Sequence, residues 1–133
     1  MGVIDPFVRT LTADEPVLDW FGFTIEEASN GAAVVTGIVS PEQVNGNGMT
    51  HGGVVFSIAD QAFAMAANTL LPFAATVDAQ IQFLAPTKGG DLLVATARTS
   101  FTDGRRAVID VEVACAGRAI ALFRGTARAI KQV

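Results

Sequence analysis

The longest apolar run of the sequence predicts one buried helix. It extends from Val54 to Leu70, contains neither glycine nor proline and is rich in alanine, which is the composition of a stable helix. Leu71 stands before Pro72, so we expect the helix to end there. Because almost every face of this segment is apolar, the helix is expected to be buried on all sides rather than to lie on a surface.

Apolar residues that alternate with polar ones predict strands before and after this helix. The clearest strand is Val77–Phe83, in which one face is expected to be buried and the other carries Asp78, Gln80 and Gln82. Turn residues separate the remaining strands. These are Phe23–Ala28, Ala32–Val39, Leu92–Phe101, Arg106–Cys115 and Arg118–Ile130.

The order of these elements predicts an α+β fold. Two short helices between Asp5 and Phe21, two strands, the long helix and a meander of four strands follow one another along the chain. An antiparallel sheet of five to six strands can wrap around one apolar helix and bury it. With 133 residues, half of them hydrophobic, the chain is expected to form a single domain over residues 1–133.

Charge and composition argue against several classes of function. The net charge is −4 and the nine lysines and arginines are scattered, whereas nucleic-acid binding requires a basic surface. One histidine and one cysteine supply no cluster of metal ligands, so no metal is expected. The lone cysteine cannot form an internal disulfide, and no signal peptide or membrane span is recognisable. We therefore expect a cytoplasmic protein that neither binds nucleic acid nor enters a membrane.

A glycine-rich segment, Val44–Gly53, leads into the long helix. Backbone N–H groups at the start of a helix lack partners within the helix, and glycines allow a ligand to approach them closely. This is the outline of an anion or oxyanion site. Asp60 lies in the middle of the apolar helix, where a carboxylate is unfavourable unless it is paired or functional.

The spacing between Gly52 and Asp60 limits how they could act together. They are eight residues apart, which corresponds to about 12 Å along a helix. One carbonyl group cannot lie within hydrogen-bonding distance of both. If both serve one reaction, a second copy of the helix must run antiparallel to the first, which predicts a two-fold dimer.

Five segments of the chain resemble the hotdog-fold acyl-CoA thioesterases of the phenylacetate-degradation (PaaI) type. They are Asn45-Gly46, His51-Gly52-Gly53, Phe56–Asp60, Phe83–Pro86 and Ala121–Gly125. The resemblance extends from about Phe21 to about Arg128 and is most specific in the spacing from the His-Gly-Gly segment to Asp60. It implies hydrolysis of an acyl-CoA to free CoA and a carboxylic acid, with phenylacetyl, hydroxyphenylacetyl or medium-chain acyl groups. It implies no cofactor, because coenzyme A is part of the substrate.

The resemblance also implies roles for individual residues. The Gly52 amide polarises the thioester carbonyl, Asp60 acts as nucleophile or general base, and Asn45 and His51 lie beside the thioester. The family forms dimers that pair two central helices and commonly assemble into tetramers, so a homotetramer with sites shared between chains is implied. A related branch with Glu at the carboxylate position and Thr one turn later does not match, since Asp60 and Ala64 occupy these positions.

Each of these residues also has a purely structural interpretation. Gly52 and Gly53 could simply permit a tight turn, Asn45 could belong to an Asn-Gly turn, and His51 could fix the loop or position the substrate. For Asp60, the structural alternative is a carboxylate capped by a neighbouring serine or by backbone groups inside a dimer.

Further residues are candidates for substrate binding, with Gly53 among them. Aromatic side chains could line an acyl pocket, although they more often belong to the core. Cations could bind the phosphates of coenzyme A, although charges in hairpin loops are usually solvated. The aromatic candidates are Phe56, Phe63 and Phe83, and the cationic candidates are Lys88, Arg105 and Arg106.

Two other functions are compatible with such a fold. Hydratases and dehydratases that act on enoyl-CoA pair an Asp or Glu with a catalytic His, commonly downstream of the Asp in the hydratases. The only histidine here, His51, precedes Asp60. The third possibility, a non-catalytic acyl-CoA-binding module, would bind its ligand without turnover, and the sequence shows no helix-turn-helix segment beside it.

Overall fold

A computed structural model describes residues 2–130 of the chain. Its helices are α1 (Pro6–Thr12), α2 (Pro16–Phe21) and α3 (Gly52–Leu70), and a 3₁₀ turn covers Pro41–Gln43. Its strands are β1 (Phe23–Ser29), β2 (Ala32–Ile38), β3 (Ala74–Phe83), β4 (Leu92–Thr102), β5 (Arg106–Cys115) and β6 (Arg118–Ala129). The expected helices and strands are confirmed, and their ends differ from expectation by at most three residues.

The six strands form one antiparallel sheet in the order β1-β2-β4-β5-β6-β3. Helix α3 packs against one face of this sheet, and buried aliphatic and aromatic residues from both fill the core. Helix α1 packs on α3 and contributes the fully buried Val8. The expected α+β fold, an antiparallel sheet around one central helix, is therefore confirmed.

The position of β3 corrects the expected meander of four strands. Of the four strands that follow α3, only β4, β5 and β6 are successive neighbours, whereas β3 lies at the far edge of the sheet beside β6. The connection after β3 carries the chain across to β2, because the Val39 N–H donates to the Asp91 carbonyl and the Gly90 N–H donates to the Val39 carbonyl. Strand β4 therefore starts against β2, where Leu92 pairs with Ile38.

The expectation that α3 is buried on all sides is wrong for one stripe. Eleven of its nineteen residues are buried, so the apolar pattern does place most of the helix in the core. The open stripe contains Gly53, Ser57, Asp60 and Ala64, which are partly or fully exposed. Their spacing of three and four residues puts them on one face of the helix.

The outer edge of β3 is also uncovered. Val77 and Phe83 are 58% and 57% exposed, and the face expected to be buried is only half-buried at Ala79 and Ile81. The opposite edge strand, β1, is covered in part by a bridge to the N-terminal segment. An exposed apolar edge strand is prone to pairing with another chain.

Candidate active site

The glycine-rich loop before α3 is held in shape by its own hydrogen bonds. Asn45 Oδ1 accepts from the backbone N–H groups of Asn47 and Met49, at 2.9 and 3.2 Å. Gly48 has a φ of +78°, a left-handed conformation that favours glycine. The Asn45 side chain thus builds the turn through its oxygen, while its Nδ2 atom donates no hydrogen bond to any residue from 2 to 130.

A second set of contacts anchors this loop to the rest of the fold. The Thr50 N–H donates to the Thr87 carbonyl at 2.8 Å, and the two threonine hydroxyls meet at 2.7 Å in a buried position. The His51 N–H donates to the Gln43 carbonyl at 2.8 Å. The start of α3 is thereby fixed from two sides, as a preorganised site requires.

His51 is the N-cap of α3. Its Nδ1 atom accepts a hydrogen bond from the Gly53 N–H at 2.9 Å. Because Nδ1 is the acceptor, the neutral ring carries its proton on Nε2. This contact agrees with the interpretation that His51 fixes the loop. The same contact occupies the Gly53 amide, and substrate binding by Gly53 stays a prediction.

The Gly52 amide remains available at the N-terminus of α3. Gly52 is the first residue of the helix, and no acceptor within residues 2–130 takes its N–H. The Phe83 ring lies next to it, so that a Cβ added to Gly52 would be 3.3 Å from Phe83 Cζ. An unpaired N–H at the positive end of a helix is suited to bind a polarised carbonyl oxygen.

Asp60 lies two turns further along α3, on the open stripe. Its side chain is partly buried, and it forms no hydrogen bond or ion pair with the residues that the structure describes. Desolvation by burial raises the pKa of this carboxyl above its ordinary value, which makes it a stronger base. The structural interpretation of Asp60 requires a serine or a backbone group to cap its carboxylate. Within residues 2–130 of a single chain, no such cap is present. Gly52 and Asp60 lie about 12 Å apart along α3 and are not brought together within one protomer.

Asp60 lines a pocket of about 610 Å³ between α3 and the segment that contains α1 and α2. Apolar residues from both sides form much of its wall. They include Leu11, Val17, Phe21, Phe23, Ala64 and Met65. The pocket gives the Asp60 side of α3 a space for a ligand group, whereas Gly52, Asn45 and His51 lie outside its lining.

Gln61 lines the same pocket and is the site residue that sequence reasoning missed. Only 8% of it is exposed, and its Nε2 atom is buried without a hydrogen-bond partner among residues 2–130. The available signal was that Asp60 and Gln61 together interrupt an apolar run. A polar residue in such a run indicates a special environment, although the pattern cannot tell which cavity it lines.

Comparison with known proteins identifies the family. The family model of the thioesterase superfamily matches residues 47–121, which is more than half of the chain and includes His51, all of α3 and Asp60. The chain belongs to the thioesterase superfamily. The enzyme class and the hotdog fold implied by its motifs are therefore confirmed for this thioesterase.

Individual relatives of this thioesterase agree with that assignment. The acyl-coenzyme A thioesterase PaaI of Escherichia coli K12 is 38% identical over 110 residues, which cover 82% of this chain and 79% of the relative. The structure of the E. coli PaaI protein from the phenylacetic acid degradation operon matches with a TM-score of 0.90 at 33% identity, over 94% of this chain and 91% of that chain. A mutant structure of the phenylacetic acid degradation protein PaaI from Thermus thermophilus matches with a TM-score of 0.84 at 32% identity, over 87% and 100%. The resemblance to the PaaI type is confirmed.

The three candidate phenylalanines of the thioesterase occupy different positions. Phe63 is 1% exposed and Phe56 is half-buried, and both rings pack against Phe123, with centroids 5.6 and 5.4 Å away. A role in an acyl pocket does not fit Phe63, because the core surrounds its ring and a Cβ on Gly125 would lie 2.7 Å from it. Phe83 is exposed beside Gly52 and stays a candidate for contact with the substrate.

The candidate cations lie at two places on the thioesterase. Lys88 bridges to the glycine-rich loop, and its ammonium pairs with Asp91 at 3.4 Å. Arg105 and Arg106 lie at the turn between β4 and β5, where together with Arg128 they line a pocket of about 700 Å³. Binding of CoA phosphates stays a prediction for all three candidates.

Two features, a cluster of metal ligands and a membrane-spanning helix, are absent from residues 2–130 of the thioesterase. Within this range, no group of three or more His, Cys, Asp or Glu side chains is arranged to hold a metal ion. Among the helices of the described residues, none is both long and apolar enough to cross a membrane. That the enzyme needs no metal stays a prediction.

Proposed function

We propose that this thioesterase hydrolyses acyl-CoA in a site shared between two subunits. One observation carries this proposal: within the described residues, the Gly52 amide has no acceptor and the Asp60 carboxylate has no donor. Thioester hydrolysis needs these two kinds of group, an oxyanion donor and a base or nucleophile. The relative named acyl-coenzyme A thioesterase PaaI supports coenzyme A as the thiol that leaves.

In the proposed reaction, the thioester carbonyl lies between two chains. The Gly52 N–H of one subunit donates to the carbonyl oxygen as this oxygen gains negative charge. Asp60 of the facing subunit either takes a proton from an attacking water or attacks the carbonyl carbon to form an anhydride that water then opens. In both routes a C–O bond forms, the C–S bond breaks, and the CoA thiolate leaves and takes up a proton.

Two uncovered surfaces support pairing with a second copy. The open stripe of α3 carries Asp60, and the uncovered edge strand β3 carries Phe83 next to Gly52. An antiparallel second copy would cover both surfaces and would place each Asp60 opposite the Gly52 of the other chain. Such dimers are proposed to pair into a homotetramer, as the family resemblance implies.

The proposed substrates are phenylacetyl-, hydroxyphenylacetyl- and medium-chain acyl-CoA, hydrolysed in the cytoplasm. The E. coli and T. thermophilus PaaI relatives, both named for phenylacetic acid degradation, support the aromatic acyl group. Asn45 and His51 are proposed to lie beside the thioester. The residues proposed to bind the phosphates of coenzyme A are Lys88, Arg105 and Arg106.

A substrate panel tests this function. The purified protein is mixed with phenylacetyl-, hydroxybenzoyl- and fatty acyl-CoA, and release of free thiol is followed with a thiol reagent. Asp60→Asn should lower kcat by at least about 100-fold, whereas Asp19→Asn, an exposed aspartate of α2, should behave as the wild type. The absence of thiol release from every substrate of the panel, or full activity of Asp60→Asn, would contradict the proposal.

Within the described residues, no contact supports the two alternatives, an enoyl-CoA hydratase or dehydratase and a non-catalytic acyl-CoA-binding module. His51 Nδ1 accepts the Gly53 amide, so this ring atom is not free to act as the base of a hydratase. Crotonyl-CoA should therefore keep its enoyl absorbance in the presence of the enzyme. Tight binding of acyl-CoA without thiol release would instead indicate the non-catalytic module.

A further inference from the structure

A pair of buried threonines holds the glycine-rich loop against a distant segment of the chain. The loop closes on itself as a small hairpin, in which Val44 pairs with Thr50. The Thr50 N–H donates to the Thr87 carbonyl at 2.8 Å, and the Thr87 hydroxyl donates to the Thr50 hydroxyl oxygen at 2.7 Å. Because hydrogen bonds are directional, two of them between the same residues fix both the distance and the rotation of the hairpin on that segment.

The hydroxyl bond of this pair lies in the protein interior. Thr50 and Thr87 are 9% and 7% exposed, and they are two of the four buried polar residues in the part of the chain that the structure describes. A buried hydroxyl is unfavourable unless it is bonded, and two apolar side chains would fill the same space. What the hydroxyl pair adds over an apolar pair is direction and a fixed separation.

The pair lies beside the proposed oxyanion donor. Only His51 separates Thr50 from Gly52, so a shift of Thr50 moves the first N–H of α3 with it. Thr87 follows four residues after Phe83, the residue whose ring lies next to Gly52. The hydroxyl bond therefore sets the position of the Gly52 N–H relative to the segment that carries this ring.

The displacement expected on loss of both hydroxyls follows from contact distances. The two hydroxyl oxygens lie 2.7 Å apart, whereas two methyl groups meet at about 3.5–4.0 Å. Replacement of both threonines by valine, which has the same branched shape, would therefore separate the two segments by about 1 Å. A misplacement of this size in an active site can lower the rate by about 100-fold.

We propose that Thr50 and Thr87 are positioning residues for thioester hydrolysis, because their hydroxyl pair sets the location of the Gly52 N–H at the carbonyl oxygen of the substrate. This assignment rests on the proposed function, in which that N–H is the oxyanion donor. The threonines do not touch the substrate and act through the start of α3. Loss of their hydroxyls should lower kcat and leave KM nearly unchanged, since a displaced donor weakens a hydrogen bond that is strongest in the transition state.

The test compares pairs with and without hydroxyls by kcat and KM for phenylacetyl-CoA and by Tm. Thr50→Val/Thr87→Val should lower kcat by about tenfold or more, with KM within about twofold of the wild type. Thr50→Ser/Thr87→Ser keeps the hydroxyl bond and should retain most of kcat, although the loss of two buried methyl groups should lower its Tm.

Thr99→Val is the matched control. The Thr99 N–H and hydroxyl both donate to the Gly31 carbonyl, at 3.0 and 2.8 Å, so they also join two segments through one backbone and one side-chain bond. This contact lies near the other end of α3, because the Gly31 N–H donates to Thr69 Oγ1, and Thr69 is about 25 Å along the helix from Gly52. Thr99→Val should lower Tm and leave kcat unchanged.

A role in stability alone would give a different pattern. Thr50→Val by itself leaves the Thr87 hydroxyl buried without an acceptor, so its Tm should be lower than that of the double valine variant, in which both hydroxyls are absent. The kcat, measured well below both Tm values, should be low in both variants. A kcat that recovers together with Tm in the double variant would overturn the positioning role. A kcat of the double serine variant as low as that of the double valine variant would overturn it too.

Combination with Gly52→Pro, which removes the Gly52 N–H, separates this proposal from the proposed function. If the hydroxyl pair acts through this N–H, the double valine change should alter the kcat of Gly52→Pro by less than about twofold. A further tenfold fall would overturn the positioning role, because the pair would then act on another group. A double valine variant with wild-type kcat, in an enzyme that Gly52→Pro inactivates, would overturn this role and leave the proposed function intact. Thiol release from no substrate of the panel would overturn both.

Discussion

Replacement of Gly52 by proline removes one N–H group with little other change to the backbone. Gly52 is the first residue of α3, a position where proline is favoured because the N–H there has no partner within the helix. His51 before it has φ −62° and ψ 136°, a conformation compatible with a following proline. The new Cβ would meet Phe83 Cζ at 3.3 Å, and this exposed ring has space to move. The helix and its His51 cap should therefore persist in Gly52→Pro.

The expected fall in kcat of Gly52→Pro follows from the proposed role of the Gly52 amide as oxyanion donor. Loss of one oxyanion donor lowers kcat by about 10²–10³-fold, or about 2.7–4 kcal/mol of transition-state stabilisation. The Gly53 amide cannot replace it, because it is bonded to His51 Nδ1. Gly52→Ala is the matched control, since it adds the same Cβ next to Phe83 but keeps the N–H, and it should retain most of kcat.

The assay measures kcat and KM for phenylacetyl-CoA by thiol release from both variants. Circular dichroism and thermal unfolding establish that both variants are folded. We expect kcat to fall in Gly52→Pro and not in Gly52→Ala. A folded Gly52→Pro enzyme with kcat within about threefold of Gly52→Ala would refute the assignment of the Gly52 amide as the oxyanion donor.

Three further predictions concern α3. Because burial raises the pKa of Asp60, the folded state favours the neutral carboxyl over the carboxylate. The folded protein is therefore more stable when Asp60 is protonated at low pH, and it loses this stabilisation as the pH rises through the folded-state pKa. Asp60→Asn should therefore raise the Tm at pH 7 but not below about pH 3, measured by thermal unfolding across pH, and an equal Tm at pH 7 would contradict the burial effect. His51→Ala should lose about 1 kcal/mol of unfolding free energy in urea titrations, whereas His51→Asn should keep the cap; equal losses would exclude a capping role. Phe63→Ala should lower the unfolding free energy by about 3–5 kcal/mol, and a loss below about 1 kcal/mol would contradict its place in the core.

Local patterns were sufficient to predict the elements of this fold. Strand β5 begins and ends where alternation predicts, at Arg106 and Cys115, because an alternating face is a property of consecutive residues. Helix α3 starts at Gly52 instead of Val54, since the His51 side chain caps two further residues. The separation of Gly52 and Asp60 was also predictable, because the rise of a helix per residue is constant.

Features that depend on distant segments could not be read from those patterns. Strand β3 pairs with β6 on one side only, so Val77 and Phe83 are exposed in one chain although their alternation predicts a buried face. Gln61 is polar in the sequence, but the pocket it lines exists only because the chain from Leu11 to Phe23 folds over α3. Alternation and helical period indicate which face of an element is apolar, and they do not indicate which segment covers it.

Mixed dimers test whether Gly52 and Asp60 of different chains form each site. A chain with Gly52→Pro and a chain with Asp60→Asn are co-expressed with different tags, and the mixed dimers are purified. In a shared arrangement, one site of the mixed dimer contains both changes and the other contains neither. Thiol release from phenylacetyl-CoA should then recover to about half of the wild-type kcat per dimer, although each parent variant is nearly inactive. Mixed dimers that are no more active than their parents would contradict a site built from two chains.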